Sequence, residues 1–268
     1  MGSLLLDSPE LRARYDRVST RQFEHGKQLI QELGIGHGQR VLDVGCGTGL
    51  LGVYVAGLVG THGLVVGVDP VPLRVTLARL RAQAHFQVHL GRAEELDALE
   101  SDSFDAAFLN SVIHCLDDRE TVLTGIYRVL RAGGKVGFTA IDRDRPGSFH
   151  LAHQQAILAA GLRKRAKSLL AARPLLSAAE AQDLLTSTGF RAVSVHTRTQ
   201  VDHFYDTDDL LDFHLESSFD AQLPDFDLND ERRLRQALKR ELERNRGPKG
   251  VEQERHIIFA IGEKPYTS

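Results

Sequence analysis

The sequence predicts an α/β fold, an open parallel sheet with helices on both faces and a helical cap, and three observations predict it. Between residues 40 and 142, short runs rich in Val, Ile and Phe alternate with helical patterns, the rhythm of successive strand–helix–strand units. The stretch VLDVGCGTGLLG, residues 41–52, puts a glycine-rich turn where the first strand gives way to the first helix. The chain has 268 residues, 42% of them hydrophobic and 26% charged, enough for one substantial core with an appended part.

The elements follow in order. Ser8 before Pro9 reads as an N-cap and first helical position, opening a helix to about Arg17. Ser19 with Gln22 has capping-box spacing, which predicts a second helix whose stripe of Phe23, Leu29, Ile30 and Leu33 ends at Gly34. RVLDVG is the first strand and GLLGVYVAGLV the first core helix. GLVVGVD is the second strand, followed by the helix VPLRVTLARLRAQ. FQVHLG is the third strand, with RAEELDAL after it, and FDAAFLN is the fourth. A helix around RETVLTGIYRVLR leads to the fifth strand, GGKVGFTAID. After Asp142 the rhythm breaks into a mostly helical stretch with the basic cluster LRKRAK. SAAEAQDLLTSTGF is then a capped helix stopped by Gly189. AVSVHTRTQ reads as a sixth strand, and a second insertion, from VDHFYDTDD to RNRGPKGVEQE, precedes the last strand, HIIFAIGEKP.

Charge and cysteine content exclude several classes. A net charge of −3 gives no global basic field for a nucleic-acid backbone, so no nucleic-acid partner is expected. Cys46 and Cys115 are the two cysteines, far apart and without CxxC pairing, which fits a reducing, cytoplasmic compartment and supports neither a disulfide framework nor a cysteine metal site. The leading apolar run is too short for a signal-peptide core. The uncharged stretch between Asp43 and Asp69 is interrupted by eight glycines, so it reads as strand, loop, helix and strand rather than as a membrane span. No pair of histidines has zinc-helix spacing, and no metal is assigned. Oligomeric state is left open.

The glycine stretch carries GxGxG at Gly45, Gly47 and Gly49, and also GxGxxG at Gly47, Gly49 and Gly52. Both let the main chain turn tightly and approach a ligand, so spacing alone does not choose between them. The charges do. A dinucleotide would put its pyrophosphate on the helix N-terminus, where Asp43 would repel it. An acid at that mouth suits a cationic amino group or sulfonium. Asp69, ending the second strand, is positioned for a pair of ribose hydroxyls. A nucleoside with a cationic amino-acid tail describes S-adenosylmethionine.

Together, VLDVGCGTGLLG, VVGVDPVPLRVTLARLRA, GRAEELDAL, SFDAAFLNSVIHCLDDRETVLTGIYRVLRAGGKVGFT and LLTSTGF resemble the class I S-adenosylmethionine-dependent methyltransferases, in particular the type 11 small-molecule subgroup, from about residue 38 to 193. The resemblance implies a Rossmann-like sheet of seven strands, mostly parallel, with the last strand antiparallel. It implies one methyltransferase domain over residues 1–268: lid helices at 1–37, a donor-binding core at 38–142, cap insertions at 143–177 and 201–255 shaping an acceptor pocket, and the last strand with its tail at 256–268. The partner implied is a small-molecule acceptor receiving the methyl group by in-line transfer.

Residue by residue, the resemblance sets Asp43, Gly45, Cys46, Gly47 and Gly49 against the methionine part of the donor, the alternative being a plain strand-to-helix turn. Asp69, followed by Pro70, resembles the ribose-binding acid, the alternative being a helix N-cap. Arg74 stands where an apolar residue usually packs on adenine; it either lies over the ring or faces solvent. Arg92 and Ala93 stand where an Asp and a small residue usually meet the adenine edge, so that role falls to the Ala93 main chain and Glu94. Asn110 and Ser111 resemble the segment lining the donor. His114 is either a general base for the acceptor proton or a polar residue at a helix start. Tyr15 and Gln22 resemble lid residues that close over the donor, although Gln22 also completes the capping box with Ser19. His150, His153, His203 and Tyr205 are candidates for the acceptor pocket. LRKRAK and ERRLRQALKRELERNR read as solvated faces, or else as receivers of an anionic acceptor. Alternatives to small-molecule methylation are RNA or arsenite methylation, and a non-catalytic nucleotide-binding protein on the same fold. Arsenite chemistry wants several thiolates.

Overall fold

A computed structural model describes residues 9–162, 175–217 and 227–266, with the side chains of 9–20, 215–217 and 228 also outside the described set. Ser8 and nearly all of LRKRAK therefore lie outside the described residues. The chain divides into two compact units. The first comprises residues 1–140, 176–197 and 258–268, and the second 141–175 and 198–257.

The first unit opens with α1 (Pro9–Leu33), a single helix of 25 residues rather than the two the sequence predicts. Ser19 and Thr20 are weak helix formers, but no glycine or proline stands between Pro9 and Ser19 to break the helix, so a capping-box spacing in mid-helix caps nothing. The core elements follow: β1 (Arg40–Val44), α2 (Leu50–Val59), β2 (Leu64–Asp69), α3 (Pro72–Arg81), β3 (Phe86–Leu90), β4 (Phe104–Asn110), α4 (Arg119–Val129) and β5 (Leu130–Ile141). RAEELDAL forms turns and no regular element. Beyond the second unit's first segment come α6 (Ala178–Thr188) and β6 (Arg191–Phe204). Ser177 and Glu180 close a full capping box at the start of α6, and Gly189 ends it at φ 109°.

Strand order is β3-β2-β1-β4-β5-β8-β6, where β8 is Gly250–Glu263 and the two-residue β7 (Arg246–Gly247) pairs antiparallel with β8. Pairs β1–β2, β1–β4, β2–β3 and β4–β5 are all parallel. The sheet is mostly parallel, with antiparallel strands at its end. It has eight strands where seven are expected, and β7 is too short to carry a hydrophobic signal. Strands β1, β2 and β4 are buried along nearly their whole length, which is why their sequences run apolar without alternation. Leu29, Ile30 and Leu33 of α1 are buried, and a side chain at Gly137 of β5 would meet Leu29 and Leu33 at 3.0–3.1 Å, so α1 lies close on that strand.

The second unit holds α5 (Ser148–Ala159), α7 (Thr207–Ser217) and α8 (Leu228–Glu243), with residues of β6 and β8. Phe149 stacks on His214 with ring centres 3.4 Å apart. Arg255 pairs with Asp202 and lies over the Phe213 ring at 5.7 Å. Among the described residues no helix is long and apolar enough to cross a membrane.

Candidate functional site

In the strand order, β1 has β2 on one side and β4 on the other, and the chain winds outward in both directions from this pair. Loops leaving the carboxyl ends of β1 and β4 therefore diverge and leave a crevice, the usual ligand position of an open parallel sheet. A cleft of about 410 Å³, counting its part open to solvent, lies there. It is lined by Asp43, the glycine loop from Gly45 to Thr48, Leu50 and Leu51 of α2, Asn110 of β4, and Gln22 and Phe23 of α1.

The backbone of the loop is held in a conformation that needs glycine. Gly47 has φ 56°, with nothing within 4 Å of where a side chain would begin, so its main chain is bare on the cleft side. Gly52 has a different role. A Cβ there would come within 2.3 Å of the Phe86 ring, so Gly52 lets α2 pack against β3 and forms no part of the cradle.

Two polar atoms at the floor are buried without a hydrogen-bond partner, Asp43 Oδ2 and Thr48 Oγ1. Asp43 is 2% exposed. Burial pushes its carboxyl well above the ordinary 3.8, and the nearby Asp69 carboxylate pushes in the same direction. Burial, then Asp43 and Asp69, also push the Cys46 thiol up, so this cysteine is a packed thiol rather than a nucleophile. An acceptor oxygen left buried and unpaired is costly unless a ligand supplies a donor, and a cationic amino group supplies one with charge. The donor set thus fits the amino-acid end of S-adenosylmethionine.

Asp69 sits beneath the loop at 1% exposure. Its Oδ2 accepts from Gly47 N at 3.0 Å and its Oδ1 from Val71 N at 2.9 Å. Val71, not Asp69, is the N-cap of α3. Each carboxylate oxygen keeps acceptor capacity beyond one such bond. The Arg74 guanidinium lies 3.9 Å from Asp69 Oδ2. Pro70 is exposed. Arg92 pairs with Glu94 at 3.4 Å and with Asp117 at 3.7 Å, while the Ala93 methyl joins the hydrophobic core.

At the β4 end, Asn110 Nδ2 donates to the Gln22 carbonyl at 3.0 Å, and Thr139 Oγ1 donates to Asn110 Oδ1 at 2.9 Å. Ser111 N donates to Thr139 Oγ1, and Ser111 Oγ shares a 2.9 Å hydrogen bond with His25 Nε2. His114 is half-buried in the 3-10 turn Ile113–Cys115 and is not among the cleft-lining residues. Tyr15 falls in α1 where side chains lie outside the described residues. Because α1 is continuous, Gln22 is no capping-box partner of Ser19, and it lines the cleft instead.

The acceptor-pocket candidates lie in the second unit. His150 is exposed and contacts Gln154 at 2.8 Å, and His153 stacks on Phe149. Burial, then His150, lowers the pKa of His153. His203 faces Glu252 at 3.8 Å, and Tyr205 is 87% exposed, too open to line an enclosed pocket. Among the described residues no group of three or more His, Cys, Asp or Glu is gathered for a metal ion.

Sequence reading missed Phe23 and Thr48 in the cleft, and His25 and Thr139 beside it. Thr48 stands inside the glycine motif. His25 and Gly26 interrupt an otherwise apolar stripe, a signal that this face meets something polar and close.

The family model described as a methyltransferase domain, type 11, matches residues 42–138. An O-methyltransferase of Aspergillus nomiae, rstn1, is 30% identical over 194 residues, covering 70% of this chain and 78% of that protein. The O-methyltransferase resE of Aspergillus sclerotiorum is 34% identical over 62% of this chain, which spans 60% of that relative's length. Among solved structures, a putative methyltransferase of Bacillus halodurans superposes with a TM-score of 0.62 at 15% identity, over 90% of this chain and 99% of that one, a likeness of fold.

Proposed function

Because this chain belongs to the class I S-adenosylmethionine-dependent methyltransferases of type 11, with S-adenosylmethionine as its donor, we propose that it methylates an oxygen atom of a small-molecule acceptor. The observation that carries the donor site is the buried, unpartnered Asp43 Oδ2 at the floor of a glycine-walled cleft. The choice of oxygen is supported by the names of the two relatives, both O-methyltransferases.

The donor supplies an electrophilic methyl group on a sulfonium centre. This chain's residues bind and orient it. Asp43 receives the amino group, and the Gly45–Gly49 main chain admits the methionine portion without a side chain in the way. Asp69 offers its remaining lone pairs to the ribose hydroxyls. Gln22 lines the cleft from α1 and would hold the donor's carboxylate end. Methyl transfer is an in-line displacement at a sulfonium carbon, so orientation and desolvation carry much of the rate. His114 takes the acceptor hydroxyl proton on an imidazole nitrogen. Residues 143–177 and 201–255 select the acceptor, with His153 the first candidate among the histidines there.

Arsenite fits less well. Its chemistry wants several thiolates, and of the two thiols Cys46 is buried with its pKa pushed up.

Calorimetry with S-adenosylmethionine and S-adenosylhomocysteine tests the donor site, and methyl transfer to a panel of phenols and alcohols tests the acceptor. Micromolar donor binding with product formed at oxygen supports the proposal. Donor binding absent at about 1 mM, or weaker than that of NAD, overturns it.

A further inference from the structure

A histidine on the apolar face of a helix is costly to bury unless it is hydrogen-bonded. His25 is 2% exposed, on the face of α1 that carries Leu29 and Ile30, and its Nε2 meets Ser111 Oγ at 2.9 Å. Ser111 is itself unusual, a non-glycine residue in the left-handed region at φ 61°. Such a conformation persists when its surroundings over-determine it. Here the Ser111 N–H is bound by Thr139 Oγ1 and its hydroxyl by His25. Thr139 in turn holds Asn110, whose amide donates to the carbonyl of Gln22, three residues before His25. One residue after His25, a Cβ on Gly26 would come within 2.9 Å of the Asn110 amide nitrogen and 2.7 Å of Leu51. The polar bonds and the close approach meet in one turn of α1, and that turn presents Gln22 and Phe23 to the cleft.

An apolar stripe alone does not fix how far a helix slides along the sheet beneath it, whereas a hydrogen bond of fixed direction does. We propose that His25 and Ser111 are positioning residues, a latch between α1 and the end of β4 that seats Gln22 and Phe23 as a wall of the donor cleft. The proposal rests on the reading of that cleft as the donor site. The latch acts on donor affinity through the seating of α1, and neither residue touches the reacting atoms.

The test compares His25→Leu, His25→Gln, Ser111→Ala and the double variant His25→Leu/Ser111→Ala. Calorimetry gives the Kd for S-adenosylhomocysteine, and hydrogen exchange of the α1 amides is followed in the ligand-free protein. Losing the bond is expected to raise Kd about tenfold and to speed exchange around residues 22–30. His25→Gln, whose amide can reach the same hydroxyl, is expected to stay within about threefold of the unaltered protein. The double variant should be no worse than either single change, because both remove the same bond. Unchanged Kd and unchanged α1 exchange in Ser111→Ala overturn the latch, as do fully additive effects. If His25→Leu does not fold, Ser111→Ala and His25→Gln decide the matter alone. Failure of the unaltered protein to bind S-adenosylhomocysteine overturns the donor reading instead, and the exchange measurement still decides the latch.

Discussion

At the scale of single residues, Asp43 is where folding and function oppose each other. Its buried carboxyl has a pKa raised above 3.8 by desolvation and by Asp69, so between 3.8 and the raised value the folded chain holds a proton that the unfolded chain gives up. Such a group favours the folded state fully below pH 3.8, and that contribution is lost as pH rises towards the raised folded value. Asp43→Asn should therefore stabilise the ligand-free protein at pH 8 by about 1 kcal/mol or more, read as a higher Tm, while weakening donor binding at least tenfold. An unchanged Kd would remove Asp43 from the site. At a pH below the raised folded value, donor binding by the unaltered protein should release protons, seen as a calorimetric enthalpy that varies with the buffer. Asp69→Ala should lower donor affinity by about a hundredfold, since one oxygen holds the glycine loop at Gly47, the other holds Val71 at the start of α3, and the ribose role proposed for their remaining lone pairs would go with them. For His114→Asn, a fall in kcat with little change in donor Kd marks a base, and equal turnover marks a structural residue.

The scale of elements shows what could be read ahead and why. Strands β1, β2 and β4 were legible because a strand covered on both faces must be apolar throughout, and the glycine turns bounded them sharply. The continuity of α1 was not, because Ser19 and Gln22 make the same local pattern whether they cap a helix or lie inside one, and only the face buried beneath α1 decides. The same ambiguity attaches to Gly52. Its spacing imitates a dinucleotide motif, but its absent side chain serves the packing of α2 on Phe86. Gly52→Ala should thus destabilise the protein by about 1–3 kcal/mol in denaturant unfolding, the cost of overpacking a close contact. A loss below about 0.5 kcal/mol would mean that the ring moves aside easily. The polar bonds around Ser111 were illegible for another reason: they join residues up to 88 positions apart, and no local pattern encodes such a pairing.

At the scale of the whole molecule, the chain is interleaved: the first unit is assembled from three segments and the second from two. Every residue lining the cleft belongs to the first unit, which also contains all of the family match at 42–138. The regions whose sequence rhythm breaks, after Asp142 and again after Gln200, supply the second unit, and its interior differs in kind. Phe149, His153 and His214 stack there, and the buried Gln253 contacts His214 at 2.6 Å. This half-buried aromatic and imidazole cluster shares no residue with the cleft lined by Asp43, and it suits recognition of an uncharged acceptor ring by stacking. If donor and acceptor recognition are divided between the units in this way, the two kinetic constants should separate. Phe149→Ala and His153→Gln should raise the acceptor KM about tenfold or more while the Kd for S-adenosylhomocysteine stays within about twofold. A parallel loss of donor affinity in these folded variants would show that the second unit serves the donor as well, and that the division drawn from the cleft's lining is wrong.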